Sequence, residues 1–535
     1  MRRIACHAKQ GARGRRSSGL CGRLTVVLSS LLLGLPSAGC RSGRVPDDEL
    51  VMLIESAPLA IDPRFAVNAY DYKLAQLVYA PLVSVDEHLE PLMVLAESVV
   101  RESPTAYLVT LREARFSDGR PVTTDDVLYT IESTRERATN HLKLRFREDG
   151  IIAMEPLDAR RIRFRLSHPH APFVTDLDEG ILARPPPGHE LDVPLGAGAF
   201  VLESSDRDRW RFRPNPFHFR GAPSAKRLTV KVIRDDNSRL LALVGGSADL
   251  TQNTVSPLLL DAVAKQNRLR VETGPSSIYT YLGVNCDDPI LRDVRVRKAI
   301  AYAIDREKII RTKFGGRAVL ASGFLPPFHW AYAADTEKYP YDPQKSRALL
   351  DEAGLKDPDG NGPRPRLTLV YKTSSNHFRI AIAQVIAAQL AEVGIEVELR
   401  PLEFATFFAD VKAGNYQIFS MLIPEISEPD IYTNFYHSSR VPTRENPDRG
   451  GNRMRYRNPA LDALLEQGAT DVDRPDRIRD YGEVQRILAR DLPTISLWHE
   501  DNVAVMNERV TGFRVLPTAY FTSLAQTRKS PRDQK

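Results

Sequence analysis

His168 and His170 flank a single proline, and two neutral imidazoles this close together are the chain's most compact pair of nitrogen donors for a metal ion. Nothing adjacent completes a ligand set, so the pair reads as part of a Pro-rich surface loop. Residues 357–362, DPDGNG, offer the alternating oxygens of a calcium loop. The twelfth position of that loop is Thr368, where a bidentate glutamate is needed, and a polar turn between a helix and a strand accounts for the same residues. Gly196-Ala197-Gly198 begins like a dinucleotide fingerprint but lacks the third glycine, and the Phe200-Val201-Leu202 that follows reads as a strand, which leaves a tight turn. The sequence contains no G-x-S-x-G elbow, no Walker A loop and no H-E-x-x-H. The minimal parts of common hydrolase, nucleotide and zinc-protease mechanisms are missing, and the reading is a non-enzyme with no cofactor and no metal.

The remaining reactive group is the thiol of Cys40, at the end of a basic, acid-free leader. Arg2, Arg3, Lys9, Arg13, Arg15, Arg16 and Arg23 precede an apolar run at 24–35 that is too short to span a bilayer. The run ends at Ala38-Gly39-Cys40, which suits a lipoprotein signal whose cysteine takes a diacylglycerol and becomes the new N-terminus. Ser37 departs from that pattern, which mostly has leucine there, and ordinary secretory cleavage after Ala38 or Gly39 is the alternative. Removing residues 1–39 removes seven positive charges and no negative one, so the formal +6 of the whole chain becomes −1 for residues 40–535. The basic pI near 9.0 therefore belongs to the leader, and nucleic acid is excluded as a partner. Cys6 and Cys21 leave with the leader and Cys40 is blocked, so Cys286 alone remains and no intrachain disulfide can form. A body of this length must hold itself together by its core, and normally splits into at least two lobes.

The elements are legible from periodicity and caps. Residues 41–49 form a polar tether, and strands are expected at 50–54, 107–111, 161–166 and 228–233. A helix capped by Thr124 carries Val127, Leu128 and Ile131 on one face. Beyond residue 340, a helix capped by Asp342 with Pro343 first is followed by a strand at 367–370, a helix at 378–393 closed by Gly394, and an alternating strand from Ile395. With a helix at 404–411 and a strand at 416–419, this makes a βαβαβ unit on a substantially parallel sheet. Further helices start at Pro459, capped by Asn458, and at Pro475, capped by Asp473; a strand follows at 494–498.

Residues 291–310, LRDVRVRKAIAYAIDREKII, resemble the signature of the family 5 extracellular solute-binding proteins, the peptide and nickel binders of ABC importers. The stretches at 77–98, 111–131, 349–354 and 389–400, and the Glu428-Pro429-Asp430 region, resemble further blocks of that family in the same order. The blocks themselves have structural explanations: Asp293 and Asp305 are placed to cap helices, and Asp118-Gly119 makes a turn.

The resemblance implies an α/β, periplasmic-binding-protein-like fold of two lobes with a hinge and an enlarged N-terminal lobe. Its expected parts are a signal at 1–39, a tether at 40–49, lobe I at 50–273 with 496–535 returning to it, and lobe II at 274–495. It implies capture of a peptide, oligopeptide or dipeptide, between the lobes and delivery to ABC permease subunits by a monomer that is exported and lipid-anchored through Cys40. In peptide-binding members an acidic residue in the region of 425–430 pairs with the ligand's amino group; Asp430 best matches it, with Glu428 second. Tyr70, Phe435, Tyr436 and Trp498 are the implied aromatic walls. An oligosaccharide or metal-complex binder, a ligand-presenting sensor and an exported hydrolase are the alternatives.

Overall fold

The structure, a computed structural model, describes residues 45–137, 150–186, 188, 194–360 and 362–531; the leader, Cys40 and the first part of the tether lie outside the described residues, as does Asn361. Two large sheets organise it. The seven-stranded sheet runs Leu269–Gly274, Asn502–Asn507, Leu250–Gln252, Glu49–Ile54, Arg227–Val232, Arg209–Pro214, Phe200–Asp206. The six-stranded sheet runs Ala318–Leu320, Thr494–Glu500, Tyr279–Val284, Ile418–Ile423, Leu367–Ser374, Ile395–Leu402. The structure matches the α/β two-sheet architecture expected from the sequence.

Alternation decides which face each strand residue fills. In Glu49–Ile54, Leu50, Met52 and Ile54 join one core with Leu74, Leu77 and Val78, while Val51 and Leu53 join another with Leu243, Leu260 and Val263. Both faces of this strand are buried, as its parallel neighbours Arg227–Val232 and Leu250–Gln252 require. In Tyr279–Val284 the even residues pack on the helices Val294–Ala303, Pro343–Glu352 and His377–Ala391, and the tyrosines pack on the other side. A separate antiparallel sheet of Ala96–Ser103, Ala106–Leu111, Arg161–Leu166 and Ile151–Pro156, backed by the helix Thr124–Arg137, enlarges the N-terminal half.

The predicted caps largely hold. Asp293, Asp305, Asp342 and Asn458 each accept backbone N–H bonds at helix starts, and Gly354 and Gly394 follow helix ends with positive φ. Two differ. The helix expected to be capped by Thr124 begins at that residue, and Thr123 one position earlier donates to Asp126 through both backbone and hydroxyl. Asp473 occupies its cap position but bonds Arg101 at 2.6 Å instead of its own helix. The βαβαβ unit forms as expected, with Leu367–Ser374 parallel to both Ile395–Leu402 and Ile418–Ile423, but the sheet as a whole is less parallel than expected, because the strands on the other side of Ile418–Ile423 are antiparallel. Those strands come from distant parts of the chain, so their direction has no local signal.

The chain leaves the first sheet after Gly274, enters the second at Tyr279, and returns between Glu500 and Asn502. Register fixes what these crossings face. Leu269–Gly274 runs antiparallel to Asn502–Asn507, which is antiparallel to Leu250–Gln252, so its carboxyl end lies with those of the first sheet's parallel strands. Tyr279–Val284 starts at the carboxyl end of Ile418–Ile423. Both sheets therefore turn the carboxyl ends of their parallel strands toward the crossings, where open α/β sheets bind ligands.

The Gly196-Ala197-Gly198 turn has a positional reason. Gly198 N–H donates to Val78 O at 2.7 Å at the end of the helix Ala69–Val78, and a Cβ on Gly198 would stand 2.5 Å from backbone atoms of Leu77 and Val78. Neither neighbour is a flexible side-chain tip. Gly198→Ala is expected to destabilise the fold by about 1–3 kcal/mol, read from the denaturant midpoint at unchanged m-value; a shift below 0.5 kcal/mol would mean the helix end can move aside.

Candidate ligand site between the two halves

Helix Ala69–Val78 is the element that brings N-terminal side chains to the crossing end. Asn68 caps it, with Asp71 completing the capping box. The fully buried Asp71 carboxylate also accepts from Leu59 and Val67 N–H at 2.6 and 2.9 Å, which ties down the loop after the first strand. The helix presents Tyr70 and Lys73, with Lys73 Nζ 5.7 Å from the Tyr70 ring centroid and 5.3 Å from that of Phe521. Burial lowers the Lys73 ammonium to about 8, against the upward pull of Glu425 and Glu55. Burial likewise raises the Tyr70 phenol and the Glu55 carboxyl.

Facing this group is a loop from the other half. The strand Ile418–Ile423 is followed by Pro424, and Glu425 is the first ionisable residue beyond its carboxyl end. Tyr520, on the chain's return to the first half, donates to Glu425 Oε1 at 2.8 Å. Glu425 thus accepts from a phenol of the opposite half and interacts electrostatically with that half's Lys73 ammonium. It lies inside the 425–430 stretch but was not among the expected residues. Its available signal was position: the first carboxylate past the carboxyl end of a parallel strand.

The two expected carboxylates have other partners. Glu428 bonds Arg477 Nη2 at 2.8 Å and Thr175 Oγ1 at 2.9 Å, so it joins the helix Arg474–Asp491 to the segment Ala171–Asp178 of the N-terminal half. Only 13% of its side chain and 8% of Arg477's are exposed. Asp430 precedes the helix Ile431–Tyr436 without capping it. Burial raises its carboxyl to about 7, reinforced by Asp176 and Glu428 and opposed by Arg477 and His170. Nearer the surface, Arg101 with Asp473 and Arg474 with Glu90 complete the contacts between the halves on this side.

Of the expected aromatic walls, Phe435 and Tyr436 lie in the core, while Trp498 floors a cavity at the carboxyl end of the second sheet. Phe435 and Tyr436 pack around Phe324 with ring centroids at 5.2 and 5.0 Å, and the Tyr436 hydroxyl lies 2.7 Å from Thr494 Oγ1. Trp498 is wholly buried against Phe314. Sequence shows that such rings must be buried or stacked, not on which side of a sheet. Tyr70 alone of the four is half-buried.

His168 and His170 go to separate partners, Ser167 and Asp176. Asp357 accepts from Asp359 and Gly360 N–H within its own turn, and Thr368 bonds Glu396. Among the described residues no group of three or more His, Cys, Asp or Glu side chains is arranged to hold a metal ion.

Two α/β halves linked by two crossings, with strand carboxyl ends facing each other across a polar seam, define a two-lobed binding-protein fold. The model of the bacterial extracellular solute-binding proteins, family 5, matches residues 90–442, and the chain belongs to that family. It is similar to the oligopeptide-binding protein AppA of Bacillus subtilis (strain 168), 26% identical over 504 residues, covering 88% of this chain and 89% of AppA. Its fold is that of the ABC transporter substrate-binding protein CtaP from Listeria monocytogenes, with a TM-score of 0.79 at 23% identity, covering 90% of this chain and 99% of that one. NikZ from Campylobacter jejuni, in complex with Ni(L-His), gives 0.76 at 22% identity over 91% and 100% of the two chains. Membership makes the chain an extracellular solute-binding protein.

The Asp430 environment predicts a pH dependence. A carboxyl raised from 3.8 to about 7 holds its proton more tightly in the folded state. Stability is then lost as pH climbs from about 4 to about 7, and the loss is complete above. Asp430→Asn has no proton to lose, so its Tm should exceed that of the wild type at pH 8 and the gap should close by pH 4; a pH-independent gap would exclude the assignment.

Proposed function

We propose that this protein is the capture component of an ABC importer for peptides, with the free amino group of the ligand paired with Glu425. The carrying observation is that Glu425, at a carboxyl strand end on one half, already keeps company with an ammonium from the other, that of Lys73. A ligand ammonium enclosed there requires a carboxylate, because an unpaired buried charge costs several kcal/mol. Glu428 is occupied by Arg477, and Asp430 lies among like charges that favour its neutral form. The relative AppA carries the name of an oligopeptide binder, which supports a peptide as the ligand class.

In this reading the halves act as lobes I and II, with the return to lobe I falling after Glu500, a few residues later than the expected 496. They open and close about the crossings, and ligand shifts the population toward the closed form. The closed monomer docks on permease subunits, whose ATPases supply the energy. Titration of Leu-Ala-Ala and its N-acetyl form by calorimetry tests the anchor. Acetylation, or Glu425→Gln with the free peptide, should cost about 2–5 kcal/mol. Equal affinity for free and acetylated peptide in the wild type would sink the pairing.

The same proposal holds the protein at a membrane through a diacylglycerol on Cys40. Expressed in its own host, the wild type should sediment with membranes and Cys40→Ser should move to the soluble exported fraction. A Cys40→Ser protein still in the membrane pellet would place the anchor elsewhere.

A further inference from the structure

A cavity of about 320 Å³ opens at the carboxyl end of the second sheet, beside the proposed anchor. Its walls include Phe404, Leu422 and Pro424, with Ile382 and Trp498 beneath. Pro424 on its wall is the residue before Glu425, so the cavity begins at the chain position next to the anchor. The size falls at the low end of the roughly 300–1,000 Å³ range of ligand pockets.

The chemistry of the wall selects what can enter. Four of its polar side chains are already bonded: Thr373 Oγ1 to Ser420 Oγ at 3.0 Å, and Arg379 and Thr280 to the Glu500 carboxylate at 2.6 and 2.8 Å. The Arg379 charge is thereby neutralised by Glu500. A charged occupant would shed its water without gaining a counter-charge, whereas an apolar one gains from leaving water. Phe404, 57% exposed at the start of the helix Phe404–Ala413, leaves an aromatic face uncovered on one wall.

We infer that this cavity is the side-chain subsite for the amino-terminal residue of the ligand, and that it selects a large apolar residue there. The inference rests on the proposed pairing of the ligand ammonium with Glu425. That anchor sets the first side chain beside Pro424.

Calorimetry of the purified protein with tripeptides X-Ala-Ala, X being Phe, Leu, Gly, Ser or Asp, tests it. Phe and Leu should bind at least about tenfold tighter than Gly, Ser and Asp, the effect expected of burying one such side chain. Leu422→Trp fills the cavity and should abolish the preference while leaving Gly-Ala-Ala binding near wild type. Phe404→Ala, at an exposed position where folding is not at stake, should weaken Phe-Ala-Ala and spare Gly-Ala-Ala. Affinities that are flat across X, or a preference untouched by both variants, overturn the subsite and leave peptide capture standing. Failure of every tripeptide to bind overturns the capture reading itself, and the subsite with it.

Discussion

The arrangement depends on one buried carboxylate at the junction of the two sheets. Residues 494–507 form a nearly continuous extended run that is a strand of one sheet up to Glu500 and of the other from Asn502. The Glu500 side chain is held by Arg379 and Thr280, and its carbonyl accepts from Ser276 Oγ on the outward crossing. Burial alone would raise this carboxyl, but Arg379 and the hydrogen bonds outweigh it and hold it below the usual glutamate value. The two crossings are therefore tied to each other at the point where each leaves its sheet. Removing one partner of such a pair costs about 3–5 kcal/mol, so the pair fixes the point at which the return crossing leaves the second sheet.

Away from the junction the halves meet through weaker contacts. The Arg101–Asp473 pair is 38% and 62% exposed, and exposed ion pairs contribute about 0–1 kcal/mol. The better buried contact is that of Thr175 Oγ1 with Glu428, whose side chain is 13% exposed and is held within its own half by Arg477. A seam that is strong at the crossings and soft at the rim concentrates relative motion in the few backbone dihedrals of residues 275–278 and Asp501.

Most of this architecture could be read from the chain because its signals are local. Helix starts announce themselves by Asp or Asn followed by Pro, helix ends by Gly, and strands by alternation that the burial of Leu50 to Ile54 follows residue by residue. The pairing direction of distant strands has no such signal, which is why the second sheet was expected to be more parallel than it is. The site was less legible for a related reason. Glu428 and Arg477 are 49 residues apart, Glu425 and Tyr520 are 95 apart, and no spacing rule links either pair. Phe435, Tyr436 and Trp498 were recognisable as large rings that need burial, but only the sheet they line shows that the core takes them.

Three carboxylates within six residues, at 425, 428 and 430, have three fates, and each follows from the element opposite. Glu428 meets a buried guanidinium and a hydroxyl and becomes a structural tie between the halves. Asp430 meets Asp176 and the Glu428 charge inside the fold, so its proton is the cheapest thing to keep. Glu425 sits past a strand end among groups that tolerate a negative charge, a phenol O–H and an ammonium whose own basicity is weakened by burial. Lys73 at about 8 is a comparatively easy cation to displace or discharge. The same chemical group at neighbouring positions thus serves as latch and proton store and, in the proposed reading, as anchor, and it is the contacts across the seam that sort them.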